Sequence, residues 1–97
     1  MKEDKILTLH PEGQPGAMLL LHEYEMAKEA IVEFFLIKPT GTVEEINTSA
    51  ANKLGGKIKG EINPFLTSVR LDMEARDYIE KVPGSDPTEY RLKLIRC

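Results

Sequence analysis

Tryptophan is absent from this 97-residue chain, cysteine occurs once, histidine twice, and the longest apolar run is the short stretch Ala17 to Leu21. Each shortage removes a class of function. A run of that length falls far short of the roughly 20 apolar residues that cross a bilayer as a helix. Met1-Lys2-Glu3-Asp4-Lys5 carries mixed charge, and the next apolar stretch is broken by Thr8 and His10. That is not the basic, apolar, small-residue order of a secretion signal, so a cytoplasmic location without a membrane is expected. The single cysteine, Cys97, has no intramolecular partner, which agrees with a reducing compartment. An excess of positive charge is missing too: the net charge is −3. The phosphate backbone of nucleic acid rewards clustered Lys and Arg, so this total weighs against strong nonspecific binding.

The residues of catalysis are equally sparse. His10 and His22 stand at the outer ends of two expected strands, where Glu23 or Cys97 could join them at a metal. They lack the spacing of any metal motif and read as strand-end residues, so neither metal nor cofactor is expected. Gly55-Gly-Lys-Ile-Lys-Gly60 lacks the Gly-Lys-Ser/Thr ending of a phosphate loop and reads as a turn between helices. The serines lie outside any nucleophile-elbow motif. Glu44 and Glu45, adjacent on a helix, point about 100° apart and form no acid–base pair. No enzyme is expected.

What is present is a soluble globular composition, 41% hydrophobic and 30% charged, in a chain long enough for one core, hence one domain over residues 1–97. Lys5 to His10 and Ala17 to Leu21 flank the turn-rich Pro11-Glu-Gly-Gln-Pro-Gly16 and predict an N-terminal β-hairpin over 5–21. Met18 to Leu21 does not alternate, so both faces of its strand are expected to be covered. Tyr24, Ala27, Ala30, Ile31, Phe34 and Phe35 recur at helical spacing and predict a first helix, stopped by Pro39 and Gly41. Thr42-Val-Glu-Glu45 is a capping box opening a second helix over Val43 to Leu54, which Gly55-Gly56 ends.

Asn63-Pro64 supplies the start signals of a third helix, expected to run to Arg76, with Asp77 in a left-handed conformation. The three helices thus occupy 23–76. Tyr78 to Val82 and Thr88 to Ile95 then pair across Pro83-Gly-Ser-Asp-Pro87, the second strand alternating Tyr90, Leu92 and Leu94 with charged residues. Helix running directly into a two-stranded ribbon over 78–95 is the second half of a winged helix. The expected class is therefore α+β: a winged helix-turn-helix of three helices, with a C-terminal two-stranded wing and an N-terminal β-hairpin.

The third helix with Val-Arg-Leu-Asp-Met-Glu-Ala-Arg, followed by Asp-Tyr-Ile-Glu-Lys-Val before a wing, resembles the winged helix-turn-helix regulators of the MarR and PadR types over Tyr24 to Ile95. The pattern is specific for fold and much less so for function, and Asp77 stands where those regulators carry glycine. More narrowly, His10-Pro-x-Gly-x-Pro-Gly16, Tyr24-Glu-Met26 and Val69-x-Leu-Asp-x-Glu-Ala75 resemble a small group of bacterial proteins known as a domain of unknown function with a predicted winged-helix fold. That second likeness covers almost the whole chain and implies no activity.

The MarR and PadR resemblance implies that the third helix enters the major groove of double-stranded DNA. Thr67, Ser68 and Arg70 on its outer face, Lys53, Lys57 and Lys59 just before it, and Arg91 and Lys93 on the wing are the candidate contacts. Each has an ordinary alternative as a solvated flank, turn or edge residue. The acidic excess sits in residues 1–41, which hold four lysines and seven carboxylates, while the C-terminal half is neutral. Leu71 and Glu74 at the centre of the outer face are poor base readers. Leu71 and Ala75 make a second small apolar stripe, and Leu19 and Leu21 a surplus apolar strand; these four are the candidate interface of a homodimer. A DNA-binding transcriptional regulator is expected first, on the frequency of that use among winged helices; the alternative is a winged-helix module for protein interaction and homodimerisation that does not bind DNA.

Overall fold

The computed structural model describes residues 4–58 and 61–93. Along the chain run β1 (Lys5–Leu7), β2 (Met18–Leu20), α1 (Leu21–Ile37), β3 (Thr40–Thr42), α2 (Val43–Leu54), α3 (Ile62–Ala75), β4 (Ile79–Lys81) and β5 (Glu89–Leu92). The three helices accompany two small sheets, β1-β2 and β3-β5-β4, all of whose neighbours are antiparallel. This is a mixed α+β arrangement.

α1 supplies the floor of the core. Tyr24, Ala27, Ala30, Ile31, Phe34 and Phe35 are buried along one stripe, as their spacing predicts, and the Phe34 and Phe35 rings meet edge to face at 5.1 Å. Against them lie Ile46 and Ala50 of α2, Leu66, Val69 and Met73 of α3, and Ile79 and Tyr90 of the larger sheet. The helix starts two residues earlier than expected because β2 feeds straight into it. Leu20 is its N-cap and makes no side-chain cap, so the backbone alone carries the chain from strand to helix.

β3 is the element the sequence pattern does not reveal. Thr40-Gly-Thr42 follows Pro39 and contains a residue depleted in strands, yet it pairs with β5 in the register Gly41↔Tyr90. Packing explains the glycine: a Cβ at position 41 would lie 2.4 Å from Cζ of Phe34. The end of α1 and the edge of the sheet approach so closely that only a hydrogen fits between them.

α2 has the expected bounds and the expected capping box. The Thr42 hydroxyl accepts from the Glu45 N–H at 3.2 Å, and the Glu45 carboxylate accepts from the Thr42 N–H at 3.0 Å. The Lys38 ammonium contacts the same carboxylate, and that hydrogen bond, with the one from the Thr42 backbone, holds Glu45 below the ordinary carboxylate range.

α3 begins at Ile62, with Glu61 rather than Asn63 at the N-cap. Pro64 therefore occupies the third helical position, where the missing N–H is one that a helix leaves unpaired anyway. At the other end, Tyr78 N–H donates to Met73 C=O at 2.8 Å and Asp77 N–H to Glu74 C=O at 3.1 Å, with Asp77 at φ 66. This is a Schellman ending with aspartate in the left-handed position, and it aims the chain from α3 into β4. β4 and β5 fall within the expected strand ranges but are shorter; Leu94 and Ile95, expected in the second strand, lie outside the described residues.

The N-terminal hairpin is also shorter than the sequence suggests. Its strands span three residues each, and the connection is held by Thr8, whose N–H donates to Ala17 C=O and whose hydroxyl accepts from Ala17 N–H, both at 2.8 Å. Gly16 lies so close to this crossing that an added Cβ would sit 1.8 Å from the Thr8 carbonyl oxygen.

Candidate functional site

The only fully buried carboxylate among the described residues sits on α3. Asp72 is 0% exposed, three residues beyond Val69 and one before Met73, on the same stripe that faces the core. A carboxylate there needs several donors. One oxygen accepts from the Leu9 N–H at 2.8 Å, the other from the Tyr24 hydroxyl, and Arg76 Nε, one helical turn on, lies 2.9 Å from both. Burial, and then the hydrogen bond to Asp72, push the Tyr24 hydroxyl well above the ordinary tyrosine value. The hydrogen bond to Asp72 likewise raises Arg76. This cluster ties three separated segments together: the N-terminal loop, α1 and the end of α3. Sequence spacing gives a signal for it, a carboxylate at a core position with an arginine four residues later, which the search for catalytic pairs passes over.

The candidate nucleic-acid contacts are placed as follows. Thr67 and Ser68 are half-buried on α3. Arg70, expected on the outer flank, is only 8% exposed: its guanidinium lies 5.4 Å from the centre of the Tyr90 ring, and one terminal nitrogen donates to the Tyr90 hydroxyl at 3.1 Å. A projection of α3 alone does not contain β5, and β5 is what covers that flank. The Arg70 Nε is buried with no acceptor among the described residues. Lys53 pairs with Glu33, Arg91 with Glu80 at 2.8 Å, and Lys93 with Asp77 at 3.4 Å. Lys57 is exposed and forms no ion pair among the described residues, and Lys59 lies outside them.

The candidate interface residues divide differently. Leu19 and Leu21 are partly buried and pack against the core from within the chain, together with Ile6. The outward face of the hairpin belongs to other residues. Leu7 and Met18 stand directly opposite one another in the β1-β2 register, 56% and 61% exposed, and Leu9, two residues beyond Leu7, is 44% exposed. The Met18 to Leu21 run thus packs against the core through Leu19 and Leu21 and presents Met18 on its other face. Leu71 and Ala75 are half-buried on α3. Ala75 lines a cleft of about 660 Å³ whose walls are the N-terminal loop on one side and β4 on the other, with Leu9, Pro15, Glu74 and Lys81 among its lining.

A family of unknown function (DUF6958) matches over residues 5–90. The chain belongs to that family. No curated protein and no solved structure matches it. The DUF6958 match takes in both sheets up to Tyr90, all three helices and every residue of the Asp72 cluster. Among the described residues of this DUF6958 chain, no group of three His, Cys, Asp or Glu is placed to hold a metal ion, and no helix is long and apolar enough to cross a membrane. His10 is used locally, its Nδ1 accepting from the Glu12 N–H at 3.1 Å.

Proposed function

We propose that this DUF6958 chain is a winged-helix protein-interaction module whose second copy covers the outer face of the N-terminal hairpin. The order of helix, strand, helix, helix and two strands, with the first of those strands at one edge of a β3-β5-β4 sheet, supports the winged-helix reading. One observation carries the interaction reading: Leu7 and Met18 stand opposite one another as exposed apolar side chains on a two-stranded ribbon, with exposed Leu9 just beyond it, and among the described residues none of the three is buried. A two-stranded ribbon is marginal alone, and apolar side chains grouped on its free face gain most from a partner surface. A two-fold contact through the hairpin is the simplest closed assembly.

Sedimentation velocity of the native chain beside Leu7→Asp/Met18→Asp tests this. Both residues are exposed, so the substitutions spare the core, and a dimer that becomes a monomer is the expected result. A native chain that stays monomeric at about 100 μM, above the micromolar range of an ordinary specific contact, sinks the proposal. Leu71→Asp, run in parallel, asks whether the α3 stripe contributes.

DNA binding by the same fold is the second reading, favoured by Lys57, which is exposed just ahead of α3 and forms no ion pair among the described residues, and by Thr67 and Ser68 on that helix. It ranks behind because Lys53, Arg91 and Lys93 each already meet a carboxylate, so a phosphate must compete for them. Titration of mixed-sequence duplex DNA at low and moderate salt, with Lys57→Glu/Lys59→Glu alongside, decides it. Salt-sensitive binding weakened by the charge reversal supports regulation at DNA; none at micromolar protein removes it.

A further inference from the structure

The cleft beside β4 has the features of a docking site for an extended peptide. β4 is an edge strand, since the sheet order is β3-β5-β4. Its backbone faces can be told apart from the hydrogen bonds at its ends: Lys93 N–H donates to Tyr78 C=O at 2.9 Å and Val82 N–H to Glu89 C=O at 2.8 Å. Alternate residues of an antiparallel strand turn their N–H and C=O to opposite sides, so residues 78, 80 and 82 face β5 while Ile79 and Lys81 face away. Ile79, Glu80 and Lys81 all line the cleft. Its opposite wall is also extended chain, where Leu7 and Leu9 present exposed apolar side chains. Ile79 is buried, so the accessible part of this edge is Lys81, whose backbone has no hydrogen-bond partner among the described residues. A free edge position beside an apolar wall is the arrangement that strand addition uses.

Charge selects the occupant. The cleft is lined by three carboxylates, Glu74, Asp77 and Glu80, against one ammonium, Lys81. Lys93 lies 3.4 Å from Asp77 and Arg91 2.8 Å from Glu80, so those two are neutralised by β5 and the residue that follows it. Glu74 is not matched so closely. Its side chain is only 16% exposed, Lys81 Nζ is 3.9 Å away, and the Tyr90 hydroxyl is 3.5 Å from its other oxygen. A largely buried carboxylate with partners at the limit of contact favours a closer cation. We infer that the cleft takes an extended peptide of alternating apolar and lysine or arginine residues, which adds a strand to β4 through the Lys81 backbone and places one basic side chain on Glu74.

The probe is the blocked pentapeptide Val-Lys-Val-Lys-Val, titrated into the full ¹⁵N-labelled chain and followed by amide shifts, with Val-Glu-Val-Glu-Val as control. Saturable shifts at Lys81 and Leu9 are expected, with Kd at or below about 1 mM. Glu74→Gln should weaken binding by about tenfold, the size of one charge-assisted contact. Lys81→Pro removes an N–H that faces the cleft and not β5, so the fold tolerates it while strand addition is lost. Absence of saturable shifts at about 5 mM peptide, well above that Kd, overturns the proposal. So does equal binding of the glutamate peptide, or binding untouched by both substitutions. Shifts confined to Leu7 and Met18 place the peptide on the hairpin face instead and overturn it too.

Discussion

Removing the Asp72 carboxylate should cost this fold a large share of its stability, by an amount the geometry lets one apportion. In Asp72→Ala the Tyr24 hydroxyl, on a residue 3% exposed, loses its acceptor inside the core, a loss of about 1–3 kcal/mol. The Leu9 N–H also loses its acceptor, but Leu9 is an exposed residue and water can reach it, so about 1 kcal/mol is reasonable. The Arg76 side chain is about one-third exposed and rehydrates, so its share is discounted to at most about 1 kcal/mol. The sum is about 2–5 kcal/mol, in the range of what breaking a buried ion pair usually costs. Urea unfolding measures it. With a slope of about 1.5 kcal/mol per molar, the midpoint should drop by roughly 1–3 M. Asp72→Asn keeps one acceptor and should cost about half as much. Hydrogen exchange adds a local readout: protection of the Leu9 amide should fall in both variants before global stability accounts for it. A loss below about 1 kcal/mol at unchanged slope would refute the view that this carboxylate clamps the N-terminal loop to α3.

Three further outcomes test other parts of the fold. Gly41→Ala forces a methyl against the Phe34 ring at 2.4 Å and should destabilise by about 2 kcal/mol, lowering Tm in calorimetry by roughly 10 °C. Asp77→Gly relieves a left-handed aspartate at φ 66; after subtracting the extra freedom of glycine in the unfolded chain, it should stabilise by about 0.5 kcal/mol in the same experiment. Tyr24 has its folded value raised, so its contribution is fully present below the ordinary tyrosine value of 10 and is lost as pH rises above it, when the unfolded chain ionises first. Stability measured in urea should decline between pH 9.5 and 11.5, roughly, and Tyr24→Phe should flatten that decline.

Local chemistry made much of the fold legible. α2 was readable at both ends because a capping box and a glycine pair are signals that need no tertiary context. The Asp77 turn was readable because few residues tolerate its conformation. β3 was not, because its glycine is imposed by the Phe34 ring, a contact between segments that periodicity does not register. The start of α3 was misplaced by a good capping pair, Asn63-Pro64, that the chain does not use for capping. Among candidate site residues, the least legible was Arg70, whose surroundings are made by Tyr90, twenty residues on. For the hairpin, the run of leucines signals surplus apolar surface, but the residues that carry it outward are not Leu19 and Leu21. Alternation from the buried Thr8 places Leu7 and Leu9 outward, and strand register adds Met18.

The central position of β5 bears on the order in which the protein can be assembled during synthesis. β3 and β4 each pair with it and not with one another, and it is the last of the three strands to leave the ribosome. At about 5–20 residues per second, Gly41 waits roughly 3–10 s for its partner Tyr90. During that interval the helices can gather around the Phe34 and Phe35 rings while both future edges stay unpaired. An emerging chain halted before Glu89 therefore carries two strands with no partner on either side, each a template for unwanted pairing, and the arrival of Glu89 to Leu92 gives each of them a partner on one side.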